Sequence, residues 1–457
     1  MKTLFRNARN ISVLLVALAP LHSFADTLRQ IYDLAKINNP EYRAAYAGLQ
    51  SDLQSGAIGR AAILPTVNLS AQSVYTDLID NGTGNQRAGN DSNYSASVSQ
   101  TLFDLSDWYT YRTGNLSVDR ARLAWAQEEQ DLITSTVSAY LDVLRSIDNL
   151  ETVIAEKTAL ESQLEQTQQR FDVGLVPITD VLEAQASYDD VISQELDARG
   201  NLAINYEALT VLTGRAHNAV APLMDNYPVV SPTPATADEW VNISLENSQN
   251  LGISEIAVES AEIDKSDANT PYYPTLEARI SYSGQIDGVN NSLNNVGIGG
   301  NFQGGSVIVT LDVPIVTFTG GSTWARRVQA RHNLTEAEEL MASTERNLQQ
   351  SIRTTYQRVL INISQVQARL QAVRSSETAL EATQAGYEVG TRNLVDVLLA
   401  ERNLYNTTRN YLNTRYDYIE NILLLKSTAG ILTEEDLDGL NRWLDDTNEI
   451  PKSLYLP

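Results

Sequence analysis

The chain contains no cysteine, which excludes disulfides, thiolate metal sites, thiol nucleophiles and a lipid anchor on an N-terminal Cys. Histidine is almost as scarce. Beyond residue 25 only His217 and His332 remain, far apart in sequence, with no Gly-x-Ser-x-Gly or His-Glu-x-x-His pattern near them. Carboxylates abound, yet no pair is marked out by its spacing, so no catalytic residue, cofactor or metal is expected. Basic side chains are also in deficit: 33 Lys and Arg stand against 57 Asp and Glu, a net charge of −24. That balance excludes nucleic acid as a partner, because phosphates demand Lys and Arg. It fits an acidic surface or an acidic lumen that favours cations.

Long apolar runs are missing too. Lys2, Arg6 and Arg9, the run Ile11 to Ala19 and the small-x-small step Ser23-Phe24-Ala25 read as a secretory signal peptide over residues 1–25. The run is too short for an anchor helix. Its removal would take the net charge from −24 to −27 and leave Asp26 as the first residue. No later stretch reaches the ~18 apolar residues of a transmembrane helix, but a secreted chain can still cross a membrane as a closed β-barrel.

What the chain does have is repetition. At an offset of 216 residues, Phe171-Asp172-Val173-Gly174 aligns with Tyr387-Glu388-Val389-Gly390, Asp180-Val181 with Asp396-Val397, and Gly214 with Gly430. Trp108 falls on Trp324 and Tyr140 on Tyr356. A period this long is a duplicated domain, not a solenoid repeat of about 20 to 50 residues. Five segments follow: signal peptide 1–25, first repeat 26–221, proline-rich connector 222–236, second repeat 237–430 and C-terminal tail 431–457. The connector holds Pro222, Pro228, Pro232 and Pro234 and reads as extended. The tail, with Trp443, is expected to pack outside a tunnel or to be partly disordered.

Each half reads as helix, two strands, long helix, shorter helix. The opening helices cover about 27–60 and 237–268. Strands are expected at Pro65 to Asp77, Ser92 to Phe103, Pro274 to Asp287 and Gly305 to Phe318. Val67, Leu69, Ala71 and Tyr75 alternate with Asn68, Ser70, Gln72 and Thr76, and Val307, Val309, Leu311 and Val313 share a face likewise. Such alternation suits a barrel wall between lipid and water, although an ordinary soluble hairpin has the same period. The polar stretches Asn81 to Asp91 and Gly288 to Gly304 read as loops. Gly297-Ile298-Gly299-Gly300 lacks the Lys and following helix of a phosphate loop. Phe103, Trp108, Tyr109, Phe318 and Trp324 suit either an interfacial belt or a packed junction between barrel and helices.

The long helices carry a 3.5-residue period. Ile352, Tyr356, Val359, Ile363, Val366, Leu370 and Val373 step by 4 and 3 in turn, and Tyr140, Val143, Ile147, Leu150 and Ile154 repeat that spacing. Leu398, Tyr405, Leu412 and Ile419 recur every seven. This is a coiled-coil seam. Helices over about 107–172 and 321–388 would each reach roughly 100 Å at 1.5 Å per residue. Four strands cannot close a barrel alone: the smallest transmembrane barrels have about eight, and open edges in lipid leave backbone groups unpaired. Two copies would supply eight strands and three copies twelve. Only the larger barrel leaves a useful channel.

The turns Phe171 to Val181 and Tyr387 to Val397, with Leu311-Asp312-Val313-Pro314-Ile315 before Gly320-Gly321, resemble those of the TolC family of outer-membrane channels. The resemblance runs through essentially the whole chain after the signal peptide. It implies a mixed α/β membrane protein: a trimer whose 12-stranded outer-membrane β-barrel, four strands per protomer, continues into a periplasmic α-helical barrel. It also implies an exit duct in outer-membrane lipid for drugs, amphiphiles or polypeptides, gated at the periplasmic end. The implied partners are a periplasmic adaptor and an inner-membrane pump of the RND, ABC or MFS type.

By the same resemblance, Thr179, Asp180, Tyr387, Thr391 and Arg392 hold the periplasmic end shut between helix pairs, and Asp396 forms an acidic ring at the constriction. The family's second ring aspartate is Leu399 here. The internal repeat offers Glu183 in its place, since 183 and 399 are 216 apart. Glu183 is equally readable as a solvated first-turn carboxylate. The local physics is independent of the family. Gly174 and Gly390 suit the left-handed position that ends a helix, Pro177 the first turn of the next helix, and Asp180 and Asp396 the positive end of a helix dipole. A coiled-coil fibre or adhesin of the cell envelope is the alternative, opposed by the repeated turns and alternating strands. A passive porin has no use for the long helices.

Overall fold

The computed structural model describes residues 27–79, 86–287, 303–315 and 319–456. The expected signal peptide, Gly297 to Gly300 and Phe318 lie outside them. Each repeat opens with broken helices rather than one: α1 (Leu28–Asn38), α2 (Pro40–Asp52) and α3 (Gln54–Ala61) in the first, and α6 (Ala237–Asn247) and α7 (Gln249–Asp267) in the second. The break at Asn39 has a local cause. Pro40 disfavours helical backbone at the residue before it, and Asn39 is extended at φ −61° and ψ 121°. Its side chain then accepts from the amides of Glu41 (2.8 Å) and Tyr42 (3.1 Å) and starts the next helix with proline at its first position. Ser248 does the same between α6 and α7, accepting from Leu251 N.

The sheet has four antiparallel strands: β1 (Thr66–Ile79), β2 (Gln86–Phe103), β4 (Thr275–Asp287) and β5 (Gln303–Asp312), in the order β1-β2-β4-β5. A short β3 (Ala219–Val220) pairs separately with β6 (Ile450–Pro451). Residues 86–91 belong to β2 and not to a loop, because backbone pairing continues past the apolar part of the strand. Gln303 and Gly304 likewise begin β5, which stops at Asp312 instead of Phe318, ahead of Pro314 with its missing N–H. Register turns the alternation into two surfaces. Val67, Val98, Ile280 and Val307 form one row across all four strands. The neighbouring row is Asn68, Ser97, Ser281 and Ser306, with a 2.8 Å Ser281–Ser306 hydrogen bond. One face is greasy and the other hydroxylic. Phe103, Trp108 and Trp324 at the strand–helix junctions are exposed on the protomer, and Tyr109 is half-buried.

From the sheet descend α4 (Leu105–Asp172) paired with α5 (Ile178–Thr213), and α8 (Ser322–Glu388) paired with α9 (Leu394–Thr428). At 68 and 67 residues, α4 and α8 are roughly 100 Å long. Among the described residues no helix is long and apolar enough to cross a membrane. The core lies midway along these helices, where Tyr140, Ile147 and Leu150 of α4 meet Leu202 and Tyr206 of α5, Ile352 and Val359 of α8 and Ile419 of α9. Of the expected seam positions, Tyr140, Val143, Ile147, Leu150, Ile352, Tyr356, Val359, Val366 and Ile419 are buried, whereas Ile154, Ile363, Leu370, Val373, Leu398, Tyr405 and Leu412 are half-buried.

Around this waist the smaller elements form a girdle. Arg29 of α1 ion-pairs with Glu434 (3.0 Å) and Asp438 (3.3 Å) of α10 (Glu434–Asn441). Leu437, Leu440, Leu444 and Tyr455 of the tail join the core, so this segment is packed and not disordered. The connector is held too: Tyr418 Oη donates to Val230 O (2.8 Å).

The duplication reaches into these details. Gly214 ends α5 at φ +73° against Asn38 at the α1–α2 break, and Gly430 follows α9 at φ +76° against Asn247 at the α6–α7 break. The two sites differ in tolerance. A Cβ on Gly430 would lie 2.2 Å from the Asn247 carbonyl oxygen, whereas on Gly214 its nearest neighbour is the Asn38 Cβ at 3.3 Å. Left-handed backbone costs a side-chain-bearing residue ~1–2 kcal/mol at either site. Gly430→Ala must add a backbone collision to that. We therefore expect thermal unfolding to begin several degrees lower in Gly430→Ala than in Gly214→Ala. Equal midpoints would contradict the packing described.

Candidate functional site

The helical hairpins end in two turns built alike. In the first, Gly174 N donates to Phe171 O and Leu175 N to Arg170 O, both at 2.8 Å. In the second, Gly390 N donates to Tyr387 O (3.1 Å) and Thr391 N to Gly386 O (2.8 Å). Gly174 and Gly390 both sit at φ +77°, which spares a side chain the left-handed region. Pro177 stands one residue earlier than expected, at the cap preceding α5, with φ −75°. The second turn carries an extra lock: Asn393 and Asp396 form a capping box, Asp396 N donating to Asn393 Oδ1 (2.8 Å) and Asn393 N to Asp396 Oδ2 (3.4 Å).

Thr179, Asp180, Thr391, Arg392 and Asp396 are each engaged with their own turn. Thr179 Oγ1 lies 3.4 Å from Asp180 Oδ1, and Asp180 is in the first turn of α5. Thr391 Oγ1 donates to Gly386 O at 3.0 Å. Arg392 Nη1 is 3.8 Å from Asp396 Oδ2, an exposed pair of the kind that contributes about 0.2–1 kcal/mol. Glu183 is exposed in the first turns of α5, and Leu399 is 56% exposed on α9. Arg392 is thus bonded to neither Thr179 nor Asp180 among the described residues.

At the tips, one contact among the described residues crosses between the hairpins. The Arg170 guanidinium at the end of α4 lies 4.9 Å from the ring centroid of Tyr387 at the end of α8. The Tyr387 hydroxyl is buried and makes no hydrogen bond among the described residues. The ring face, not the phenol, carries this interaction. Arg170 was not legible as a partner, since it depends on how two hairpins pack.

Above the tips the seam turns polar. On α4, Val153, Glu156, Leu160, Gln163 and Thr167 step by 3 and 4 in turn, one residue off the register of Ile154, and are all buried. On α9, Leu394, Val397 and Glu401 are buried at the same spacing. Apolar packing here shrinks to Val153, Leu160 and Val191, with Tyr188 and Leu398 against them. Elsewhere, His217 is buried with Nε2 2.6 Å from Thr213 Oγ1, where it packs the end of α5, and His332 is exposed on α8.

A four-stranded sheet with one apolar face, set on two long helical hairpins with matched turns, is an architecture shared with known channels. Residues 31–215 and 240–430 match the outer membrane efflux protein family. The chain belongs to that family. It is 34% identical over 421 residues to the outer membrane protein TolC of Vibrio cholerae, covering 92% of this chain and 94% of that one. It is 28% identical to the alkaline protease secretion protein AprF of Pseudomonas aeruginosa, covering 91% and 87% of the two chains. The crystal structure of the outer membrane protein VceC from Vibrio cholerae shares the fold at a TM-score of 0.73 and 19% identity, over 88% of this chain and 96% of that one. The protein is therefore an outer-membrane exit duct with its helices on the periplasmic side. The fibre or adhesin alternative is not favoured.

The tip contact can be tested directly. Arg170→Gln removes the cation from the Tyr387 face, a loss of about 0.5–1 kcal/mol. Hydrogen exchange should accelerate in segments spanning residues 165–180 and 383–397. Tyr387→Phe should leave exchange near wild type, because the ring stays and the hydroxyl has no bond to lose. Faster exchange in Tyr387→Phe and none in Arg170→Gln would overturn this reading.

Proposed function

We propose that three copies of this chain close a 12-stranded barrel and a continuous helical tunnel, and that the paired turns form its periplasmic gate. The observation that carries the reading is the sheet itself. The outer edges of its strands β1 and β5 have no partner among the described residues, and its apolar row must face lipid. Three copies pair every edge and leave an open lumen, whereas two give a barrel only wide enough for side chains. The exposed Leu182, Leu196, Ile204 and Val211 of α5 support the same reading, since a neighbouring copy would cover them.

In this assembly the segments 26–221 and 237–430 are the two repeats of each protomer, joined by 222–236, with 431–457 forming part of the girdle. Residues 1–25 are the export signal. A periplasmic adaptor and an inner-membrane pump of the RND, ABC or MFS type deliver drugs, amphiphiles or polypeptides to the helical end. The conduit is passive and does no chemistry on its cargo.

At the tip, Thr179, Asp180, Tyr387, Thr391 and Arg392 hold neighbouring helix pairs together, and Asp396 supplies one acidic ring. Leu399 lacks the charge for a second ring. Glu183, exposed on the facing repeat, widens the acidic zone instead. Single bonds here are weak, but three copies that move as one unit add their contributions. Arg392→Ser should therefore raise single-channel conductance in planar bilayers severalfold, with the trimer intact. Unchanged conductance in an intact Arg392→Ser trimer would falsify the gate.

A further inference from the structure

Three glutamates occupy buried positions along the lower seam, and their surroundings differ. Glu195 of α5 is met by Lys157 Nζ at 2.7 Å and by Arg199 at 2.6 Å. These bonds, the one from Lys157 foremost, hold its carboxyl below the usual range. Glu156 of α4 has one ion-pair partner among the described residues, Arg409 Nη1 of α9, at 3.0 Å. Burial outweighs that partner and raises its pKa.

Glu401 of α9 has no ion-pair partner among the described residues. It is 3% exposed, Gln384 of α8 hydrogen-bonds its carboxyl, and its Oε2 is buried with no hydrogen-bond partner among the described residues. Burial, followed by the facing Glu156 charge, pushes it up to about 7.

The cluster sits where the two hairpins meet. Arg409–Glu156 ties α9 to α4, Tyr405 Oη reaches Ala155 O of α4 at 3.3 Å, and Arg402 lies 4.0 Å from Asp190 of α5. The groups around Glu401 come from α4, α5, α8 and α9. From α4 comes Glu156, from α5 Asp190 acting on Glu156, from α9 itself Arg402, Tyr405 and Arg409, and from α8 only the uncharged Gln384. One close cation therefore serves two facing carboxyls. A neutral Glu401 fits this seam, whereas an ionised one adds an uncompensated buried charge opposite another of the same sign.

We propose that Glu401, Glu156 and Arg409 form a proton-dependent latch between the hairpins, closed when Glu401 is neutral and loosened when it ionises. The latch rests on the reading of the tips as a gate. The sign follows from linkage. The closed seam binds the Glu401 proton more tightly than a parted, hydrated one. Closure therefore carries no penalty below the ordinary carboxylate range, gains one as pH rises through that range to about 7, and reaches the full penalty above it.

The test is conductance of the intact assembly in planar bilayers, with periplasmic-side pH stepped from about 5.5 to about 8.5. Wild type should conduct more as pH rises, and Glu401→Gln, neutral at every pH, should lose that rise and stay at the low-pH level. Glu156→Gln removes the facing charge and should move the wild-type rise to lower pH, which keeps the proposal testable if Glu401→Gln fails to assemble. A wild-type pH response in Glu401→Gln, or an unmoved midpoint in Glu156→Gln, overturns the latch. Arg392→Ser, run alongside, separates the two readings. If it opens the channel while Glu401→Gln keeps its pH response, the gate stands and the latch falls. If Arg392→Ser and the wild-type pH series both leave conductance flat, both fall.

Discussion

The fold depends on one unmet demand: the outer backbone groups of β1 and β5 need partners. In water an unpaired strand edge is tolerable, but in hydrocarbon each orphan amide or carbonyl costs several kcal/mol. The apolar row Val67, Val98, Ile280 and Val307 commits this sheet to hydrocarbon. Closure by further copies then dictates the rest. In the proposed trimer, strands that pair between protomers set the helices below them side by side, and the exposed leucine, isoleucine and valine of α5 become an inter-protomer surface.

Cohesion falls along the tunnel. At the waist, α1, α6, α10 and the tail crowd around the long helices, and side chains as large as Trp240 and Tyr140 are fully buried. Toward the tips the same heptad seam is filled by Glu156, Gln163, Thr167 and Glu401. Polar seams hold register while giving up apolar stabilisation, and a buried carboxyl with no cation is the least stable of these fillings. A rigid waist below an anchored sheet, grading into a tip held by hydrogen bonds, one cation–π contact and solvated ion pairs, is the distribution of stability a conduit gated at one end requires.

Much of this was legible because it is periodic. The 216-residue offset located both turns, both long helices and the glycines that end α5 and follow α9. Alternation identified the strands. What escaped was aperiodic or hidden by residue type. The Asn39-Pro40 break was readable as a cap followed by proline, but amphipathic spacing runs through it. Residues 86–91 look like loop because their polarity signals water, to which backbone pairing is indifferent. Glu156 lies two residues past Ile154, off its stepping, and Glu401 three residues past Leu398, and a glutamate invites assignment to a solvated face. Arg170 over Tyr387 is a different case, since its partners lie on separate hairpins and no local pattern relates them.

The central claim is that the protomer is incomplete and that three copies complete it. Native mass measurement of detergent-extracted protein bears on this most directly. The account predicts one dominant species of three chains that retains its β-sheet signal. A stable monomer or dimer with that signal intact would contradict it.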